Sequence, residues 1–222
     1  MLMTQFRQIQ NKLNVNFNKV LAFFVIFYAV GITGMLVPYT FPLFVRLTPF
    51  ALLLSTAALA IFHTDYSRKS LMIFGLIYLA GFFIEVVGVQ TGLIFGSYIY
   101  GPGLGIKVFH TPLIIGVNWL LLVYVAVSLT NLLHAGTVVK VFLSAGILLA
   151  YDLILEQVAP KLKMWSWTDD KIPFQNYVAW YLIALIFTGI VKISGINMKN
   201  RLAALILMCQ LVFFTVLLFT LN

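Results

Sequence analysis

The sequence predicts an all-α integral membrane protein, and three observations support this prediction. Of 222 residues, 62% are hydrophobic and only 9% are charged, with a mean hydropathy of +1.04. Soluble domains carry about 25% charged residues, so this composition excludes an ordinary soluble domain. Apolar windows of about 20 residues, the length that crosses a bilayer as a helix, recur along the whole chain.

Seven apolar segments have the length of membrane-spanning helices. The first ends at Pro38, and the polar turn 63–70 follows the second. The fourth begins at Pro112, a residue suited to the first turn of a helix, and the fifth stops at Pro160. The predicted spans are Val20–Val37, Pro42–Phe62, Leu71–Val89, Pro112–Leu133, Val138–Ala159, Pro173–Ile193 and Arg201–Leu221.

The loop between the third and fourth spans is rich in glycine. Residues 90–111 contain five glycines and form the only long segment without a helical pattern. Backbone of this kind at a membrane needs protein or water to cover its polar groups. It is therefore either a re-entrant or lid-like segment over a cavity, or an ordinary surface loop.

The remaining organisation follows from polarity and charge. We predict a polar lead-in over residues 1–19 and a single transmembrane domain over residues 20–222. With the N-terminus inside, nine Lys and Arg residues fall on the inner side and four in outer loops. This bias favours the N-inside orientation and explains the net charge of +8 without a nucleic-acid partner.

Three of the six acidic residues lie within predicted spans, namely Glu85, Asp152 and Glu156. A charge at the bilayer centre costs about 2.5–3.5 kcal/mol on insertion scales, so such residues usually have a partner or a function. Asp152 and Glu156 are four residues apart and share a helix face. If the third and fifth spans pack together, the three carboxyl groups face one cavity as an acid/base set. Alternatively, they hold the bundle together through hydrogen bonds.

Aromatic and amide side chains gather around the same loops. Trp and Tyr are common at any membrane interface, but they could also line a pocket for an apolar chain and stabilise a carbocation. The two Asn residues could position water or simply join helices. The candidate binding residues are Asn118, Trp119, Asn176, Tyr98, Tyr100, Trp165, Trp167 and Trp180.

Metal and nucleotide chemistry is disfavoured. The three histidines, His63, His110 and His134, are scattered and lack the paired spacing of metal ligands. No zinc motif and no glycine-rich nucleotide-binding motif is present in the sequence. We therefore predict no metal and no cofactor.

Several motifs resemble one family. The most specific reads EVVGVQTGLIFGSYIY, from Glu85 to Tyr100, and it is followed in order by Asn118-Trp119, AYDLILE ending at Glu156, and Trp165-Ser-Trp167. This pattern, across roughly residues 70–190, resembles the membrane-bound carotenoid biosynthesis proteins that include the carotenoid 1,2-hydratases of bacterioruberin and myxol-type pathways.

The resemblance implies a cofactor-independent hydro-lyase. It would add water across the terminal C1=C2 double bond of an acyclic carotenoid ψ-end, of the lycopene or γ-carotene type, to give a tertiary 1-hydroxyl. We expect Asp152 to donate the proton, Glu85 to orient or deprotonate the water, and Glu156 to tune Asp152. We further expect a multi-pass protein of the bacterial inner (cytoplasmic) membrane, in contact with the lipid bilayer, its carotenoid substrate and other enzymes of the pathway.

Two other functions stay open at this point. A lycopene-type carotenoid cyclase begins with the same protonation, but ring closure captures the cation in a dry pocket. A proton-coupled membrane transporter would also use intramembrane acids. Such transporters often carry inverted repeats and paired broken helices, and the sequence shows neither.

Overall fold

The computed structural model describes the backbone of residues 2–221 and the side chains of residue 8 and residues 10–221. Within this range the chain forms eight α-helices and two short antiparallel ribbons. The helices are α1 (Leu2–Val15), α2 (Phe17–Leu36), α3 (Phe41–Ile61), α4 (Arg68–Thr91), α5 (Ile114–Thr130), α6 (Thr137–Val158), α7 (Phe174–Ser194) and α8 (Ala203–Thr220). The strands are β1 (Tyr98–Tyr100), β2 (Lys107–Val108), β3 (Thr111–Pro112) and β4 (Trp165–Trp167), with a 3₁₀ turn at Pro102–Leu104.

Each predicted span corresponds to one of the helices α2 to α8. Six of them are long and apolar enough to cross a membrane, and α5 is a shorter apolar helix of 17 residues. The class of all-α, multi-pass membrane protein is therefore confirmed. The number of seven crossings, the N-inside orientation and the division at residue 19 stay predictions.

Two expectations about boundaries are corrected by the structure. Pro112 does not open a helix: it lies in β3 opposite Lys107, and α5 begins at Ile114. The polar turn predicted for residues 63–70 is shorter, because Ser67 caps α4 by accepting a hydrogen bond from the Ser70 backbone amide at 3.2 Å. The cap satisfies an amide at the start of the helix that would otherwise lack a partner.

Helix α5 forms the centre of the bundle. Fourteen of its 17 residues are buried, and it packs against α3, α4, α6, α7 and α8. The surrounding spans bury only 22–33% of their most apolar windows and turn apolar side chains outward, as contact with lipid requires. Close packing of α4 on α5 depends on Gly81, where a Cβ atom would lie 2.7 Å from Trp119 Cβ.

The two long loops meet at one end of the bundle. α4 ends at Gly92, whose φ of 68° is the left-handed conformation that glycine adopts without strain. Strand β1 then pairs antiparallel with β4, and we call this pair the β1–β4 ribbon. The Gly101 amide donates to the Met164 carbonyl at 2.8 Å, and a Cβ at Gly101 would overlap the Lys163 carbonyl oxygen. The glycine-rich segment is therefore folded against the loop that follows α6.

Hydrogen bonds around His63 join the helices at the opposite end of the bundle. His63 is 1% exposed, with Nδ1 2.8 Å from the Tyr124 hydroxyl and Nε2 2.7 Å from the Asp65 carbonyl oxygen. A carbonyl only accepts, so Nε2 carries the hydrogen, and in the neutral ring Nδ1 accepts from the Tyr124 hydroxyl. The Asn200 amide donates to the same hydroxyl at 3.0 Å. Burial lowers the pKa of His63, consistent with the neutral ring.

Acidification should destabilise the protein partly through His63. Because its pKa is lower in the folded state than its usual value of about 6.5, its contribution is complete above about pH 6.5 and is lost as pH falls. We expect the melting temperature in detergent to fall between pH 7 and pH 5, by about 2–4 °C for each kcal/mol lost. His63→Gln, which does not titrate, should show a shallower fall. Equal falls in both proteins would contradict this role.

Candidate active site

Glu85 is buried near the end of α4, where three uncharged donors bind it. Its Oε2 accepts hydrogen bonds from the Tyr98 hydroxyl at 2.6 Å and the Tyr100 hydroxyl at 2.7 Å. Its Oε1 accepts one from Trp119 Nε1 at 3.0 Å. The carboxyl group, 4% exposed, is thus fixed from β1 on one side and from α5 on the other.

Glu156, in the last turn of α6, has a matching environment. Its Oε2 accepts hydrogen bonds from Trp165 Nε1 at 3.0 Å and from Trp167 Nε1 at 2.8 Å. Its Oε1 accepts one from Asn176 Nδ2 on α7 at 3.1 Å. The side chain is 2% exposed, and its donors are uncharged like those of Glu85.

The register of the β1–β4 ribbon explains this symmetry. Tyr98 lies opposite Trp167 and Tyr100 opposite Trp165, and residues directly opposite in an antiparallel pair share a face. Side chains alternate along a strand, so all four rings point into the bundle and the intervening Ile99 points out. The ribbon therefore presents two phenol hydroxyls to one carboxyl group and two indole N–H groups to the other.

The two tyrosines remain hydrogen-bond donors over a wide pH range. Burial, and next the nearby Glu85 carboxyl group, raise the pKa of both Tyr98 and Tyr100 above the usual value of about 10. Each phenol therefore stays protonated and donates a hydrogen bond to Glu85.

Asp152 lies one helical turn further into the bundle than Glu156 and is completely buried. Its Oδ2 accepts a hydrogen bond from Asn176 Nδ2 at 3.3 Å, so the same amide joins both acids. Within residues 2–221, Asp152 Oδ1 has no hydrogen-bond partner. An oxygen without a donor is more compatible with a neutral acid than with a carboxylate.

A small cavity lies between Glu85 and Glu156. Its volume is about 20 Å³. A cavity needs about 10–15 Å³ on this measure to hold one water, so there is room for one. It is lined by Glu85, Phe95, Tyr98, Tyr100, Ile115, Asn118, Trp119, Glu156, Trp165, Trp167, Asn176 and Trp180.

The structure brings together all eight binding residues predicted from the sequence and two of the three acids. The exception is Asp152, which does not line the cavity and reaches it only through Asn176. The third and fifth predicted spans correspond to α4 and α6. Helix α5 lies between them and contacts both. The roles assigned to the three acids stay predictions.

Sequence reasoning missed Phe95 and Ile115. Phe95 is 1% exposed and packs edge-on against Tyr98, with ring centroids 6.1 Å apart. Its place inside the glycine-rich motif was a usable signal, whereas Ile115 is indistinguishable in the sequence from any apolar residue of a span.

Two further features shape the cavity. Trp119 and Trp180, which both line the cavity, are stacked with ring centroids 4.2 Å apart and an angle of 22° between the rings, and we call this stacked pair the Trp119–Trp180 wall. Asn118 lines the cavity, and in the described part of the chain its side-chain amide has no hydrogen-bond partner. An amide without a protein partner therefore lies among the residues that line this space.

The glycine-rich segment lies over this cavity together with β4, and whether it acts as a lid stays a prediction. Tyr98 and Tyr100 come from the segment itself, and both side chains are buried on the inner face of the ribbon. The fold and the cavity thus define a multi-pass membrane protein with buried carboxyl groups on either side of a water-sized space.

Comparison with known proteins identifies the family. Residues 47–222 match the family described as "Carotenoid biosynthesis protein", and the chain belongs to this family. It is also similar to the bisanhydrobacterioruberin hydratase of Haloarcula japonica, with 30% identity over 112 residues. The match covers 45% of this chain but only 36% of that relative. No solved structure matches the chain.

The ribbon contact is testable with a pair of glycine variants. Gly101→Ala should push β1 away from β4, because the new methyl group overlaps the Lys163 carbonyl. We expect a loss of about 5 °C in melting temperature and a red shift of tryptophan fluorescence as the ribbon indoles meet solvent. Gly136→Ala is the matched control, since nothing lies within 4 Å of a Cβ there. Equal behaviour of the two variants would refute the close contact.

Proposed function

We propose that this protein hydrates the terminal C1=C2 double bond of an acyclic carotenoid ψ-end, of the lycopene or γ-carotene type, to a tertiary alcohol without a cofactor. The observation that carries the proposal is the cavity in which Glu85, Glu156 and the free Asn118 amide surround a space for one water. Membership of the carotenoid biosynthesis family and the similarity to a hydratase support it.

The first step is protonation of the alkene. The π electrons take a proton at C2 to form a C–H bond, and a tertiary cation remains at C1. Glu156 faces the cavity, so we assign delivery of the proton to Glu156 rather than to Asp152, the donor favoured by the sequence. Asp152 acts through Asn176, which holds both acids and fixes the position of Glu156.

The second step is capture of the cation by water. Asn118 holds the water molecule. The oxygen atom of this water forms the new bond to C1. The water then loses one proton to Glu85, while Tyr98, Tyr100 and Trp119 keep that carboxyl group in place. A proton returns from Glu85 to Glu156 through the shared cavity, so each turnover consumes one water and no net proton.

The aromatic lining stabilises the intermediate. A cation is attracted to the face of an aromatic ring, most strongly to that of tryptophan. Trp119 and Trp180 form such a surface beside both acids. A space of about 20 Å³ does not hold the end of a carotenoid, so the cavity must widen when the substrate binds.

Water-sized polar space favours hydration over cyclisation. A cyclase would protonate the same kind of double bond but exclude water from the cation. Asn118, an uncommitted amide inside the cavity, is suited to holding a water molecule and has no role in ring closure.

The reaction can be tested by following oxygen. Purified protein in detergent, given lycopene or γ-carotene without redox cofactors, should form a product with one additional water. In isotopically labelled water the label should enter the new hydroxyl group. Label that came only from molecular oxygen, or a cyclised product without oxygen, would contradict the proposal.

The roles of the acids can be separated by variants. Glu156→Gln and Glu85→Gln should each lower turnover about 10²–10⁴-fold, the usual worth of a general acid or base. Asp152→Asn should cost less, because Asp152 does not line the cavity. Asp169→Asn, on the exposed loop after β4, is the control and should be as active as the wild type. If Asp152→Asn were the most damaging, direct donation by Asp152 would replace our assignment.

A further inference from the structure

A second, larger cavity lies between α2, α3 and α8. This groove has a volume of about 300 Å³ and shares no lining residue with the cavity between Glu85 and Glu156. None of its lining residues is charged. Its walls are mainly aromatic and aliphatic, and include Phe27, Phe44, Leu47, Phe50, Phe213 and Phe214.

One polar side chain in this groove lacks a partner. Gln210, midway along α8, lines the groove and is only 2% exposed. Its Oε1 has no hydrogen-bond partner among the residues that the structure describes. A buried polar atom without a partner is unfavourable, and the bilayer interior offers no water to satisfy it.

Neighbouring hydrogen bonds fix which end of the amide is free. Ser55 Oγ donates to the Ala51 carbonyl at 2.9 Å, so it accepts from the Tyr28 hydroxyl, also at 2.9 Å. The Tyr28 oxygen is then left as an acceptor for the neighbouring Gln210 amide. In this series of hydrogen bonds, Gln210 Oε1 remains as an acceptor without a donor.

This acceptor restricts the ligand that fits. Gln210 lines the groove and the terminal torsion of a glutamine side chain is broad, so the amide can turn its oxygen to a ligand at the expense of its contact with Tyr28. Uncharged apolar walls suit a hydrocarbon chain, and the free acceptor requires a hydrogen-bond donor on that chain. The volume of about 300 Å³ accommodates one end of such a chain, with the remainder along the lipid-facing helices.

We propose that the groove is a second binding site, for an isoprenoid chain that carries a hydroxyl group, with Gln210 Oε1 accepting the hydrogen bond. This inference rests on the proposed function, since hydration of a polyene creates such a ligand. An acyl chain of a bilayer lipid would suit the walls equally well, but it has no donor for Gln210.

Retention of pigment on the purified protein tests the site. Glu156→Gln protein, in which turnover is blocked, is immobilised in detergent and loaded with lycopene or with its 1-hydroxy derivative. We expect the hydroxylated pigment to bind about fivefold more tightly, the effect of one net hydrogen bond. Adding Gln210→Leu should abolish this preference while lycopene still binds. Adding Ala51→Phe, which fills the groove, should weaken the binding of both pigments.

Two results would overturn the site. One is a preference for the hydroxylated pigment that survives Gln210→Leu, and the other is unchanged binding of both pigments to Ala51→Phe, which would leave a lipid acyl chain as the occupant. Gln210→Leu removes the unpaired Oε1 and leaves Tyr28 its hydrogen bond to Ser55, so the variant should fold normally, and its melting temperature checks this. Wild-type protein that hydrates no polyene, while retention still depends on Gln210, would contradict the proposed function alone.

Discussion

Four aromatic donors on one face of the β1–β4 ribbon bind two carboxyl groups buried at the ends of α4 and α6. Each half of this arrangement needs the other. Without the ribbon, Glu85 and Glu156 would each lose two of three hydrogen bonds while remaining buried, and an unpaired buried polar group is costly. Without the two acids, the two phenol hydroxyls and two indole N–H groups on the inner face of the ribbon would be buried without hydrogen-bond partners. The position of the cavity and the register of the ribbon are therefore set by the same interaction.

The bundle holds this interaction at a fixed place. Helix α5 lies between α4 and α6, and it contributes Trp119 to Glu85 and Asn118 to the space between the acids. Glycines 81 and 101 allow the close approaches that bring α5 and the ribbon to the carboxyl groups. A site assembled from two loops and four helices is thus positioned by backbone packing as well as by its own hydrogen bonds.

Much of this arrangement was predictable from the sequence. The length of each apolar segment located the spans. The free-energy cost of a charged side chain inside the bilayer identified the three acids as residues with a partner or a function. The pairing of β1 with β4 was not predictable, because strands of three residues are too short to show an alternating pattern. The burial of α5 was also hidden, since helices facing lipid and helices facing protein are equally apolar in a membrane. The i, i+4 spacing put Asp152 and Glu156 on one face, but it did not reveal that only Glu156 reaches the cavity.

We propose that one end of an acyclic polyene is protonated and hydrated between Glu85 and Glu156. An experimental structure of the Glu156→Gln protein with a bound acyclic polyene tests it most directly. We expect the terminal C1=C2 bond to lie between Glu85 and residue 156, against the Trp119–Trp180 wall, with a water on Asn118. A polyene end bound elsewhere, with the β1–β4 ribbon still closed over the cavity, would contradict it.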